Sequence, residues 1–163
     1  MVLDRATFSL SDADLEFMVL GKAELPPQFQ GHQVVREGVL DNALMAENGF
    51  PNSSAAKYSQ AGRITGFMRE FGPTSAMANT SGFDFLAATV AHLFDNPASV
   101  SLWMHEIFLK DFEGNIGESV GGGHQLISAE RLQPQSFFDE AVALKVLQGG
   151  PTGIISSNNT GTN

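Results

Sequence analysis

The side chains able to do chemistry in this chain are few enough to weigh group by group. Four histidines stand beside no cysteine, which excludes a Cys nucleophile, a thiolate metal site and a disulfide together. His105-Glu106 begins like a zinc-protease helix, in which a second His four residues on completes the ligand pair. That position is Leu109, so the motif fails. From Asp111 to Glu118 (Asp-Phe-Glu-Gly-Asn-Ile-Gly-Glu) oxygen-bearing side chains alternate as in calcium loops. An EF-hand loop would want Gly where Ile116 stands and Glu where Gly122 stands, so a solvated acidic loop is the favoured reading. Gly121-Gly122-Gly123-His124 offers backbone N–H groups to an anion but lacks the Lys-Ser/Thr of a phosphate loop. No Gly-x-Ser-x-Gly elbow occurs, which leaves an α/β-hydrolase without support.

His92 is the histidine placed on an apolar segment, near Val90 and Phe94. With Asp84, Glu70 or Arg69 beside it across a sheet, its pKa would be perturbed and acid/base work would become open to it. The plainer alternative is a buried His satisfied by a backbone carbonyl. The ligand site this sequence allows is a pocket in which Phe67, Phe85, His92 and Trp103 surround one polar group.

Periodicity supplies the elements that would position these residues. Ser11-Asp12-Ala13-Asp14 is a capping box, followed by Leu15, Met18 and Val19 on one helical face. The helix must end before Leu25-Pro26-Pro27. Phe29 to Val35 reads as a short edge strand, Leu40 to Glu47 as a short helix closed by the turn Gly49 to Asn52, and Ser53 or Ser54 as the cap of a further turn from Ala55 to Gln60. After Gly62, the segment Arg63 to Phe71 alternates strictly, with Thr65, Phe67, Arg69 and Phe71 on one side, which predicts a strand with unequal faces. A polar loop from Gly72 to Gly82 leads to Phe83–Leu93, apolar on both sides, which predicts a central strand, although its Leu and Ala content also suits a helix.

Asn96-Pro97 is a strong helix start, and Val100, Trp103, Met104, Ile107 and Phe108 follow on one α-helical face up to Phe112. A glycine-rich loop from Asp111 to Gly123 precedes a strand over His124 to Leu132. Ala141 to Leu147 alternates as a strand, with Ser136 and Asp139 offering a competing helix start. After the turn Gly149 to Gly153 the apolar pattern stops at Ile154-Ile155, leaving a polar tail over 156–163. Either the chain is cut short there or a partner supplies the missing strand.

Composition narrows the function classes. At 163 residues the chain fits one domain, and 42% hydrophobic with 17% charged residues is globular usage. Thirteen Phe against one Trp and one Tyr means that most aromatic rings need no polar partner and suit a core, with a few left for a groove. A net charge of −9 repels phosphate backbones and anionic headgroups, so nucleic acid is not an expected partner. No apolar run approaches the roughly 18 residues of a membrane span, and the N-terminus is not a signal peptide. Asn-x-Ser/Thr triplets at Asn52, Asn79 and Asn158 are expected by chance in a chain this rich in those residues.

Leu25-Pro26-Pro27-Gln28-Phe29, Asp41-Asn42-Ala43, Gly62 to Phe67 and the helix after Leu93-Phe94-Asp95 together resemble small α+β domains of secreted or lipid-anchored bacterial proteins, of the Mog1/PsbP-like kind. The resemblance spans residues 12 to 155 and implies a twisted antiparallel sheet with helices and no catalytic residues. The expected fold is therefore α+β, a single domain over residues 1–155 in which an antiparallel sheet has helices packed on it. The expected role is a non-enzymatic binding or interaction module at or outside the bacterial cell surface, with a protein or small-molecule partner and no metal or cofactor. One rival is an NTF2-like pocket protein that binds a small apolar ligand or acts as a hydrolase or isomerase. Another is an assembly subunit, a homo-oligomer paired through the C-terminal edge strand at Ile154-Ile155.

Overall fold

The computed structural model describes residues 10–74, 86–120, 124–134 and 139–150, and the backbone of 153–162. The architecture is α+β, as the sequence predicts, with two antiparallel sheets of three strands each. The chain divides into two compact units, Met1–Asp41 with Thr65–Leu93, and Asn42–Ile64 with Phe94–Asn163. No helix among the described residues is long and apolar enough to cross a membrane.

The first unit opens on a 3-10 helix, Asp12–Phe17, where the capping-box carboxylate of Asp14 accepts the Ser11 N–H and the Ser11 hydroxyl, both at 2.8 Å. The helix stops at Phe17, so the α-helical spacing that groups Leu15, Met18 and Val19 does not continue. Leu15 and Val19 are buried and Met18 is exposed. After a short 3-10 turn at Lys22–Glu24, Pro27 opens another, Pro27–Phe29, closed by the Phe29 N–H on the Pro26 carbonyl at 2.8 Å. The strand predicted from Phe29 therefore begins later, as β1 (Gln33–Val39).

β1 lies at the edge of the sheet, antiparallel to β2 (Arg63–Gly72), with Glu37 opposite Arg69 and Val39 opposite Phe67. The register shifts between Val34 and Arg36, a bulge that breaks the outer ladder. β3 (Ala87–Phe94) takes the other edge, since the order is β1-β2-β3. That corrects the expectation of a central strand. No residue of β3 is fully buried: Ala87, Thr89 and Ala91 are half-buried, Ala88 and Val90 on the other face are exposed, and His92 to Phe94 are half-buried, so two covered faces are not filled. Phe83 to Phe85, predicted to begin this strand, lie outside the described residues.

In the second unit α1 (Asn42–Glu47) and α2 (Ala55–Gln60) occupy the predicted positions, and Ser54 caps α2 by accepting the Lys57 N–H at 3.1 Å. Gly62 turns α2 into β2 at φ +84°, and a Cβ there would strike Ser99 and Asp95. α3 (97–114) starts as predicted, with the Asn96 side chain accepting the Ser99 N–H at 3.0 Å and Pro97 in the first turn. It runs as three consecutive segments, α over Pro97–Leu102, π over Trp103–Leu109 and α over Lys110–Gly114. Asp111 and Glu113 thus lie in helix where a loop is predicted.

The second sheet, in the order β4 (Gln125–Leu132), β5 (Ala141–Gly150) and β6 (Gly153–Thr162), packs on α3. Met104 and Leu109 meet Leu126, Val142, Leu144 and Val146 in one buried cluster, with Val100, Phe108 and Phe112 against it. Burial of this apolar surface, at about 25 cal/mol per Å2, stabilises the unit. Residues 141–147 are strand, and the helical alternative falls. β6 corrects the expected ending: it pairs with β5 along its whole length, from Gly150 opposite Gly153 to Ala141 opposite Thr162. The ladder is built from backbone groups, which a run of Ser, Asn and Thr supplies as well as Ile does. β5 is consequently no open edge, and residues 156–162 are strand rather than tail.

Candidate functional site

The first unit holds a cavity of about 280 Å3 lined by Asp12, Ala13, Glu16, Val39 and Phe67. One wall is the 3-10 helix Asp12–Phe17, and the floor is the opposed pair Val39 and Phe67 of β1 and β2. Arg69 fixes this arrangement from behind. Its Nε donates to Glu37 Oε2 at 2.7 Å, its Nη1 donates to the Leu20 carbonyl at 3.2 Å, and its guanidinium stands 5.9 Å from the Phe67 ring centre. One side chain thereby ties the edge strand, the segment after the helix and the floor of the cavity together. Among the described residues no cation pairs with Asp12 or Glu16. The cavity is therefore apolar below and acidic at its rim.

Of the residues the sequence proposes for a pocket, Phe67 and His92 belong to the first unit, on β2 and β3, and Trp103 belongs to the second, in α3. Phe85 lies outside the described residues. Trp103 is buried within its own unit, 5.1 Å from Tyr58 and 5.5 Å from Phe94 between ring centres, with the Arg63 guanidinium 5.9 Å from its ring. Arg63 is itself buried and donates to Asn42 Oδ1, while Asn42 Nδ2 donates to the Arg63 carbonyl at 3.0 Å.

The acidic stretch after Asp111 has cations of its own. Lys57 Nζ reaches both Asp111 carboxylate oxygens, at 2.6 and 2.8 Å, and Arg131 pairs with Glu113, holding the Glu113 carboxyl below the ordinary range. These two carboxylates point to different partners, which is incompatible with their sharing one cation. Among the described residues no three His, Asp or Glu side chains converge as metal ligands would. The Gly121–Gly123 stretch lies outside the described residues.

A second polar group joins α3 to the start of β5. Glu140 accepts from the Ser101 hydroxyl and meets His105 Nε2 at 2.5 Å. Its carboxyl is held below the ordinary range, first by Ser101 and then by His105. Serine, carboxylate and histidine are all present, but the carboxylate stands between the other two. In this arrangement Glu140, not Ser101, is the partner of His105, and the group fastens a helix to a strand.

Sequence reasoning does not find the groove. Asp12, Glu16 and Val39 carry no motif, and Val39 lies far from the other two in the chain, so nothing in the sequence joins them. No protein family model, no curated protein and no solved structure matches the chain.

Proposed function

We propose that this chain is a non-enzymatic interaction domain whose contact surface lies on the first unit. The observation that carries this reading is the distribution of apolar side chains. Leu15, Val19, Leu25 and Phe71 are buried in that unit, whereas Phe17 is 81% exposed, Val39 63% and Leu86 64%. Single exposed apolar residues are ordinary, but a unit that leaves several outside, on a helix, an edge strand and a strand entry, has a surface suited to a partner. The second unit uses its apolar residues differently, in two buried clusters.

At the β1 edge of this unit the contact is through side chains rather than by strand addition. β1 carries a bulge and the charged pair Arg36-Glu37, and β4 carries a bulge between Leu126 and Ser128 followed by Glu130-Arg131. Both devices blunt an edge against pairing with a further strand. In the second unit the polar side-chain groups Lys57–Asp111 and Ser101–Glu140–His105 pair within themselves and join one element of the fold to another, which supports a structural role for them.

Site-specific photo-crosslinking tests the reading. A benzophenone side chain placed at Phe17, Val39 or Leu86 should capture a partner in the source cells, and one placed at Ile116 or Leu132 should not. Equal capture from both groups, or none from either, would defeat it.

A further inference from the structure

The groove bounded by Asp12, Glu16, Val39 and Phe67 narrows the chemistry of the partner, on the premise that the first unit is a contact surface at all. We propose that this groove docks a basic, amphipathic peptide segment, one that lays an apolar side chain on Val39 and Phe67 and presents a Lys or Arg to Asp12 and Glu16. The floor demands an apolar group, since Val39 is exposed and Phe67 half-buried with nothing polar between them in the β1–β2 register. The rim demands a cation: both carboxylates are exposed and neither has a basic partner among the described residues. Asp12 accepts one backbone N–H, from Ala13 at 3.0 Å, whereas their helical neighbour Asp14 takes both the N–H and the hydroxyl of Ser11. The net charge of −9 adds a long-range attraction for the same sign of ligand.

A peptide fits this groove better than a small organic cation. The cavity holds about 280 Å3, below the usual range of enclosed ligand pockets, and Phe17, next to Glu16 on the helix that forms its wall, is 81% exposed. An extended or helical segment can cover both, whereas a small molecule would be left largely in water. Arg69 supports the floor, and the carboxylate it pairs with is Glu37 rather than Asp12 or Glu16.

The test is fluorescence anisotropy of a labelled short Leu/Lys amphipathic peptide with the full chain, beside its Leu/Glu counterpart. The basic peptide should bind and the acidic one should not, and binding should weaken as salt rises. The double variant Asp12→Asn/Glu16→Gln should bind about tenfold more weakly. A second double variant, Glu118→Gln/Glu130→Gln, removes the same net charge from exposed positions of the second unit and should bind as the wild type does. Val39→Ser should weaken the salt-insensitive part and leave the salt dependence as it is in the wild type. All of these positions are exposed, so matching circular dichroism spectra will show that the fold is retained.

Equal weakening by the two charge variants would overturn the groove and leave only bulk attraction. Equal binding of acidic and basic peptides, abolished by Val39→Ser, would overturn the choice of a basic partner while keeping the interaction surface. A dimer in sedimentation that Val39→Ser dissociates would replace the peptide by a second copy of this chain. Absence of both peptide binding and crosslinks at Phe17, Val39 and Leu86 would remove the interaction reading with it.

Discussion

Glu140, at the entrance to β5, stands 2.5 Å from the Nε2 of His105 in the middle of α3, and the same carboxylate accepts the Ser101 hydroxyl one turn earlier. The strand that forms the centre of the second sheet is thus fastened to the helix that covers it. Because these contacts favour the ionised carboxylate, the Glu140 pKa is lowered in the folded state. A lowered folded-state pKa contributes stability above the ordinary glutamate value, about 4.3, and that contribution is lost as pH falls through the lowered one. Thermal unfolding followed from neutral pH into the acid range should therefore show a shallower decline for Glu140→Gln than for the wild type. Parallel curves would mean that the contact contributes nothing to stability.

Lys57 and Asp111 make the most enclosed ion pair described, with side chains 26% and 12% exposed. Removing Lys57 alone leaves an uncompensated carboxylate in a site largely closed to water. Lys57→Met should cost on the order of 2 kcal/mol, less than a fully buried pair because Lys57 retains some solvent. The double variant Lys57→Met/Asp111→Leu should recover most of that loss. A denaturant-unfolding cycle measures the coupling, and additive single effects would show that the pair is not coupled.

The two units should answer differently to truncation of an apolar side chain. Leu144→Ala empties a fully buried position between Met104 and the strands and should cost about 2–5 kcal/mol. Val39→Ser removes an exposed side chain and should change stability by less than about 0.5 kcal/mol. A large loss from Val39→Ser would reveal that the groove floor supports the fold, which would count against its role as a contact surface.

Much of the fold is legible where a local rule has no competitor. Ser54 and Asn96-Pro97 mark helix starts because orphan N–H groups need a side-chain oxygen at that position, and both caps form. Val142, Leu144 and Val146 read as a strand because only a period of two puts all three on the core. The rest depends on neighbours that a sequence does not display. Residues 156–162 have no apolar pattern, yet they pair with β5 because its backbone groups offer a ladder. Phe83 to Leu93 is apolar enough for a central strand, but order within a sheet follows from which strands find each other, and β3 is at an edge. The groove escapes for the same reason. Asp12, Glu16, Val39 and Phe67 are far apart in sequence and meet only once β1 and β2 have paired.

The π segment of α3 makes the sharpest distinction between pattern and structure. On an α-helix carrying Trp103, Met104, Ile107 and Phe108 inward, Leu109 would face away from the core, and Leu109→Ala would cost only a few tenths of a kcal/mol. Trp103–Leu109 is instead wound with i→i+5 bonds, which brings Leu109 beneath Met104. Leu109 is 3% exposed and belongs to the cluster with Leu126, Val142, Leu144 and Val146, whereas Ile107 is only half-buried. Leu109→Ala should therefore destabilise by about 2–5 kcal/mol and exceed Ile107→Ala. Deleting one residue from the exposed side of this turn, Glu106, should restore α-helical winding and carry Leu109 out of register with β5, lowering stability further than Glu106→Ala does. If Leu109→Ala proves near neutral while Ile107→Ala is severe, the helix is regular and the wide turn does not exist in solution.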